Sequence, residues 1–298
     1  MILALDTGAT ANRFVIMMRL RRFRGWALAA LAVAIVPLVG AQESSQQRPV
    51  APASSQGAAD FLLFEAFGDT FHDAEKRLGN TGDDLLCWAA AASNVLAWTG
   101  WGIDAGFRDE DEIFRYFQDH WTDHRHGSPR RSWHWWFTGI DPQPEGARVT
   151  QPGGGFWKAV GFPSHTWENR QGDLFRGIGS KMIAREPLAL RDVLRDGYGV
   201  AIQLVKPLEA GKRKSHVITL WGYRATTQEP FAGVFVTDSD DDKRVEQGVE
   251  PENRLAYYAV SFREGKWWFE NYRNEPWQWH IIAAYALASK ATSPPPTP

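Results

Sequence analysis

Cys87 is the only cysteine in the 298 residues. It opens the stretch Cys87-Trp88-Ala89-Ala90-Ala91-Ala92-Ser93-Asn94, where a run of Ala favours helix. Asp83 or Asp84 can cap the start, Leu96 and Trp98 carry the apolar pattern onward, and Gly100 is a stop. A thiol in the first turn feels the positive end of the helix dipole, which favours thiolate, the nucleophilic form. The plainer reading is a small buried hydrophobe, the usual fate of a lone Cys. His216, 129 residues later, tips the balance. A Cys nucleophile needs a base, and the base needs a group to orient it. His216 begins the alternating run Ser215–Trp221, and the next such run, Gly233–Thr237, ends in Asp238-Ser239-Asp240-Asp241-Asp242. An antiparallel hairpin of the two sets His216 beside Asp238 or Asp240, and a period of two turns both acids to one face. One carboxylate can then hold one ring nitrogen and leave the other for Cys87. Singly, these residues read as a hydrogen-bonded strand-end His and a solvated acidic turn; jointly, they spell nucleophilic acyl transfer.

The elements that must position these groups fall into two regions. Residues 61–196 carry helical signals: Cys87–Trp98, then Asp109-Glu110-Asp111-Glu112 opening a helix with Ile113, Phe114, Tyr116, Phe117 and Trp121 as its stripe, then Leu188–Arg195 before Gly197. From Tyr198 the pattern turns to strands: Gly199–Val205, Ser215–Tyr223, Gly233–Thr237, Leu255–Phe262, Lys266–Tyr272 and Trp277–Leu287. Helices first and strands second predict an α+β fold with an antiparallel sheet. No internal repeat is visible.

At 44% hydrophobic and 23% charged, the composition is that of an ordinary globular protein, and a net charge of −2 gives no electrostatic reason to expect nucleic acid. Met18-Arg19-Leu20-Arg21-Arg22-Phe23-Arg24, the apolar run Gly25–Val36 and Val39-Gly40-Ala41 form a signal peptide cleaved after Ala41, so a secreted or periplasmic protein with no stable membrane association is expected. Residues 1–41 are thus extension plus signal, with translation expected to start at Met17 or Met18. Asp6-Thr7-Gly8 precedes the export signal and is set aside. Residues 42–60 are a flexible linker, 61–288 the catalytic domain and 289–298 a loose tail. One Cys cannot form an internal disulfide. The fifteen Trp are mostly core; Trp133-His134-Trp135-Trp136-Phe137 and Trp267-Trp268 can line a groove for an extended chain or pack inside.

Three segments carry a resemblance. Asp83-Asp84-Leu85-Leu86-Cys87, His216-Val217-Ile218-Thr219-Leu220-Trp221-Gly222 and Val236-Thr237-Asp238-Ser239-Asp240 resemble, in order and interval, the Mac/IdeS-type immunoglobulin-degrading cysteine endopeptidases. The resemblance implies a papain-like fold, with an N-terminal helical part carrying the Cys helix packed on a C-terminal antiparallel sheet. It implies Cys87 as nucleophile, His216 as general base, Asp238 as the acid orienting it and Asp240 as a supporting acid. It also implies an oxyanion hole from the Trp88 N–H with Lys76 or Arg77, although Trp88 stands where the family has Gly. Gly154, Gly155 and Phe156 resemble a Gly-Gly-apolar-Phe substrate segment. No cofactor is implied, and the partner is a protein or peptide substrate.

Two metal patterns compete. Asp238-x-Asp240-x-Asp242 imitates an EF-hand start, but Lys243 and Val249 replace its Gly and Glu. His120-x3-His124-x-His126 has zinc-like spacing, without the Glu of a zincin and beside Gly127 and Pro129. No metal is expected. The other functions open to the same residues are an amidase or transglutaminase-like acyl transferase and an inactive exported binding protein.

Overall fold

The computed structural model describes residues 61–63, 71–76, 83–121, 127–142, 148–150, 153–161, 172, 174–241 and 253–291. The chain divides into two units, Met1–Arg48 and Pro49–Pro298, and every described residue lies in the second. The expected extension, signal peptide and linker (1–60) lie outside the described residues. So do Arg77, His124, His126, Asp242, Lys243, Val249 and the end of the tail from 292.

Strand β1 (Phe61–Leu63) precedes helices α1 (Cys87–Trp98), α2 (Trp101–Asp104), α3 (Glu110–His120) and α4 (Pro129–Thr138). Next come the paired strands β2 (Ile140–Pro142) and β3 (Arg148–Thr150), then β4 (Phe175–Gly179), α5 (Ser180–Arg185) and α6 (Ala189–Arg195). The rest is β5 (Tyr198–Pro207), β6 (Arg213–Arg224), β7 (Gly233–Thr237), β8 (Ala256–Arg263), β9 (Lys266–Phe269), β10 (Asn271–Tyr272), β11 (Glu275–Pro276) and β12 (His280–Ala288).

The expected papain-like α+β arrangement, helices packed on an antiparallel sheet, is not what these strands build. They run β6-β5-β12-β9-β8-β7 and return to β6, a closed six-stranded antiparallel barrel. The seam is β6. Its first part pairs with β5, from Pro207↔Arg213 to Val200↔Leu220, and its last part with β7, from Thr219↔Thr237 to Arg224↔Gly233. A register shift between Leu220 and Gly222 lets one long strand serve both neighbours. Strand twist and a bulge of this kind close a sheet. Neither has a compositional signature, so the alternating pattern announced the strands without announcing the closure.

Inward-facing Val200, Ile202 and Leu204 of β5, Ile218 and Leu220 of β6, and Ala284 and Ala286 of β12 fill one core. Ala201, Val217 and Leu287 face the other way and join the helical core built on α1. That helix is apolar on all sides and buried from Trp88 to Ala97, as a central helix must be. Small side chains let it lie close to the barrel: a Cβ on Gly199 of β5 would stand 2.8 Å from Val95 Cγ1. Asn94, the one amide in the helix, fixes its register on the barrel. Its Oδ1 accepts from the Ala74 N–H (2.7 Å), and its Nδ2 donates to Thr219 Oγ1 (3.0 Å) and Thr237 Oγ1 (3.3 Å). Neither Asp83 nor Asp84, the expected caps, holds the N-cap position. Leu86 is the N-cap, without a side-chain bond, because a backbone turn from the Leu86 N–H to the Asp83 carbonyl (2.9 Å) closes the helix start instead.

The Trp cluster resolves as core. Ser128 and Pro129 start α4, a buried Arg131–Asp141 pair (2.9 and 2.6 Å) ties it down, and Trp133, Trp135, Trp136 and Phe137 are all fully buried. Trp267 is buried in the barrel beside Phe231.

Candidate active site

Cys87 is the first residue of α1, so its sulfur sits at the helix's positive end, partly buried. The β6–β7 register carries the start of β6 alongside the turn after β7. His216 and Asp238 therefore meet, both buried, with His216 Nε2 2.6 Å from Asp238 Oδ1. A contact that short requires a proton between the atoms, so Nε2–H donates to the carboxylate. With Nε2 committed to Asp238, Nδ1, 3.8 Å from Asp240 Oδ2, is the nitrogen left for the sulfur; the imidazole and the Cys87 thiol are hydrogen-bonded.

Electrostatics follow from this packing. Burial opposes a charge on Cys87, but the imidazolium, its hydrogen bond, the Lys76 ammonium and the Val217 N–H together hold the thiol below its usual value. Burial likewise opposes the charge on His216, and the carboxylate of Asp238 and the sulfur of Cys87 overcome it, raising the imidazole to about 9. Both shifts favour the thiolate–imidazolium form of the pair over the neutral one. Asp238, though buried, is held far below the carboxylate range by His216, Arg273 and Tyr272. Asp240 is lowered against burial by His216 and Lys76.

Lys76, its side chain 1% exposed, pairs with Asp240 Oδ1 at 2.5 Å and donates to the Asp84 carbonyl at 3.4 Å. Trp88 is the second residue of α1, in the turn whose N–H groups point out of the helix end, and its indole packs on Phe117 and Trp121. At the 154–156 segment, the Gly155 and Phe156 N–H groups bond the Trp136 carbonyl (3.0 and 2.9 Å), and a Cβ on Gly154 would strike the Trp135 carbonyl at 2.2 Å. Phe156 also packs on Phe107, Tyr116 and Trp136, and like Cys87 it borders the helical core.

Two groups escaped the sequence pattern. Tyr272 donates its hydroxyl to Asp238 Oδ2, and Arg273 reaches both acids. Lys266–Tyr272 reads as one strand, whereas the strand stops at Phe269 and a tight hairpin, β10–β11, follows. The polar pair Arg273-Asn274 between paired residues was the available signal, weak because it lacks the Gly usual in such turns. Asn94 is a third such group, its signal a single amide inside an apolar helix.

Among the described residues two sets of side chains come close enough to share an ion, His216–Asp238–Asp240 and Asp73–Glu75–Asp241. Lys76 and Arg273 already match the charge of the first. In the second, burial and then the nearby Asp241 charge lift Asp73 to about 8 against the Arg254 N–H bond, so it keeps its proton at neutral pH. His120, the first His of the zinc-like pattern, ends α3 with Nδ1 2.9 Å from the Tyr116 carbonyl. The chain matches no protein-family model and no curated protein. No described helix is long and apolar enough to cross a membrane.

Proposed function

We propose that this protein is an exported cysteine endopeptidase that cleaves protein or peptide substrates without a cofactor. One observation carries the reading: a thiol at a helix start and a buried carboxylate both engage one buried imidazole. The motif resemblance to immunoglobulin-degrading endopeptidases supports it.

The Cys87 thiolate attacks a peptide carbonyl, and the carbonyl's electron pair moves to oxygen. The Trp88 N–H and the Lys76 ammonium stabilise that oxyanion. As the C–N bond breaks, His216 gives its Nδ1 proton to the leaving amine, and Asp238 keeps the ring in place through Nε2–H. A water molecule, deprotonated by the same Nδ1, then attacks the thioester. The acid product leaves and the thiolate and imidazolium are restored.

Incubating the purified protein with a mixed protein library and sequencing new N-termini tests this. Wild type is expected to produce termini that Cys87→Ala does not. Equal cleavage by Cys87→Ala, or cross-linking to an added amine in place of cleavage, would reject it.

A further inference from the structure

The small hairpin β10–β11 closes through an unusual turn. Tyr272 pairs with Glu275, and the two residues between, Arg273 and Asn274, both have φ of +57°. Consecutive left-handed residues define the two-residue hairpin turn that normally takes Asn-Gly, and an Arg there is held in a conformation its side chain disfavours. Such backbone strain persists where the surroundings over-determine it. The surroundings of Arg273 are the two acids. Its Nη2 lies 3.0 and 2.9 Å from the two oxygens of Asp238 and 3.1 Å from Asp240 Oδ2, and Nε lies 3.3 Å from Asp238 Oδ2. Its guanidinium rests over the Tyr272 ring, 5.2 Å from the centroid.

The same Nη2 stands 3.0 Å from His216 Nε2. That nitrogen's proton is committed to Asp238, so the contact is a like-charge neighbour and not a bond to the ring. Arg273 therefore acts on the imidazole through the acids. Asp240 is shared, one oxygen to Lys76 and the other to Arg273. Without Arg273, buried Asp238 and half-buried Asp240 would stand around the imidazole with Lys76 and the imidazolium alone to offset their charge.

We propose that Arg273, resting on the assignment of Cys87 and His216 above, is a positioning residue that holds Asp238 and Asp240 as carboxylates around one imidazole. His216 then presents a single nitrogen to the sulfur, and the thiolate forms at lower pH than the acids alone would allow. Besides Arg273, the charged and titratable groups bearing on the Cys87–His216 pair are Lys76, Asp238, Asp240 and, through Asp238, Tyr272, and of these only Lys76 adds positive charge.

Because Cys87 is the sole cysteine, iodoacetamide reads one sulfur. Its alkylation rate against pH is compared in wild type, Arg273→Gly, which suits the turn, and Arg273→Lys, which keeps the charge. In Arg273→Gly the acid limb should move up by about one pH unit, roughly a tenfold slower reaction on that limb. Arg273→Lys should recover at least half of that shift. A uniform change at every pH, or no displacement in a natively folded Arg273→Gly, overturns the assignment. If wild-type Cys87 itself titrates like an ordinary thiol near about 8.5, the Cys–His pairing beneath it falls as well.

Discussion

At the scale of residues, the pH behaviour has a definite sign. The folded His216 imidazole is raised from 6.5 to about 9, so its proton stabilises the fold fully below 6.5, and that contribution is lost as pH climbs through about 9. In the proposed mechanism the same proton is the one delivered to the leaving amine. Peptide hydrolysis should rise as Cys87 ionises, hold across neutral pH and fall through about 9, visible in kcat/KM against pH. A profile still climbing above that point would contradict the assignment. Asp238→Ala strands His216, Tyr272 and Arg273 without their shared acceptor. It should lower kcat by about three orders of magnitude or more and cost about 3–5 kcal/mol in a denaturation curve. Lys76→Met removes a cation from both Asp240 and the developing oxyanion; kcat should drop about 100-fold with KM little changed. A selective rise in KM would instead make Lys76 a substrate-binding group.

At the scale of elements, α1 delivers the sulfur and depends on close approach to β5. Gly199→Ala would press its new carbon against Val95 and Thr99, and should destabilise the fold by about 1–3 kcal/mol, read as a lower denaturation midpoint. These elements were largely legible. The Ala run of α1, the acidic first turn of α3 and the alternation of β5, β6 and β7 are local signals, and side-chain period and propensity report local structure well. The pairing of His216 with Asp238 followed from adjacency of two strands, since a two-strand register is short-range information. What was not legible depended on contacts distant in sequence. The N-cap position fell to Leu86 and not to an acid, and the groove reading of Trp133–Phe137 gave way to core because α4 packs on α1, α3 and the 155–157 segment. Arg273 is the sharpest case: nothing around it in the sequence announces that its charge belongs to acids more than thirty residues earlier.

At the scale of the whole molecule, the closed barrel replaces the sheet that helix and strand order suggested. Closure brings the ends of β5, β7 and β9 and the starts of β6, β8 and β12 to one rim, and His216, Asp238 and Tyr272 all lie at that rim. Asp73 lies in the segment that runs beside the turn after β7, the Lys76 N–H bonding the Ser239 carbonyl at 3.2 Å. Its carboxyl, raised from 3.8 to about 8, keeps a proton that the unfolded chain releases, so stability drains as pH rises across that interval. Asp73→Asn, which can still accept from Arg254, removes that drain. Its Tm relative to wild type should climb between about pH 5 and about pH 8 and then level off; a difference constant with pH would show that Asp73 carries no such proton.

The nucleophile sits early in the chain, and the hairpin and last stave that complete its surroundings come near the end. A ribosome makes protein from the N-terminus. A nascent chain therefore exposes its sulfur long before Arg273 and β12 are synthesised, and until they arrive the wall of staves stands open. On the function proposed above, Cys87, His216, Asp238 and Arg273 therefore come together only once the hairpin that carries Arg273 has been made.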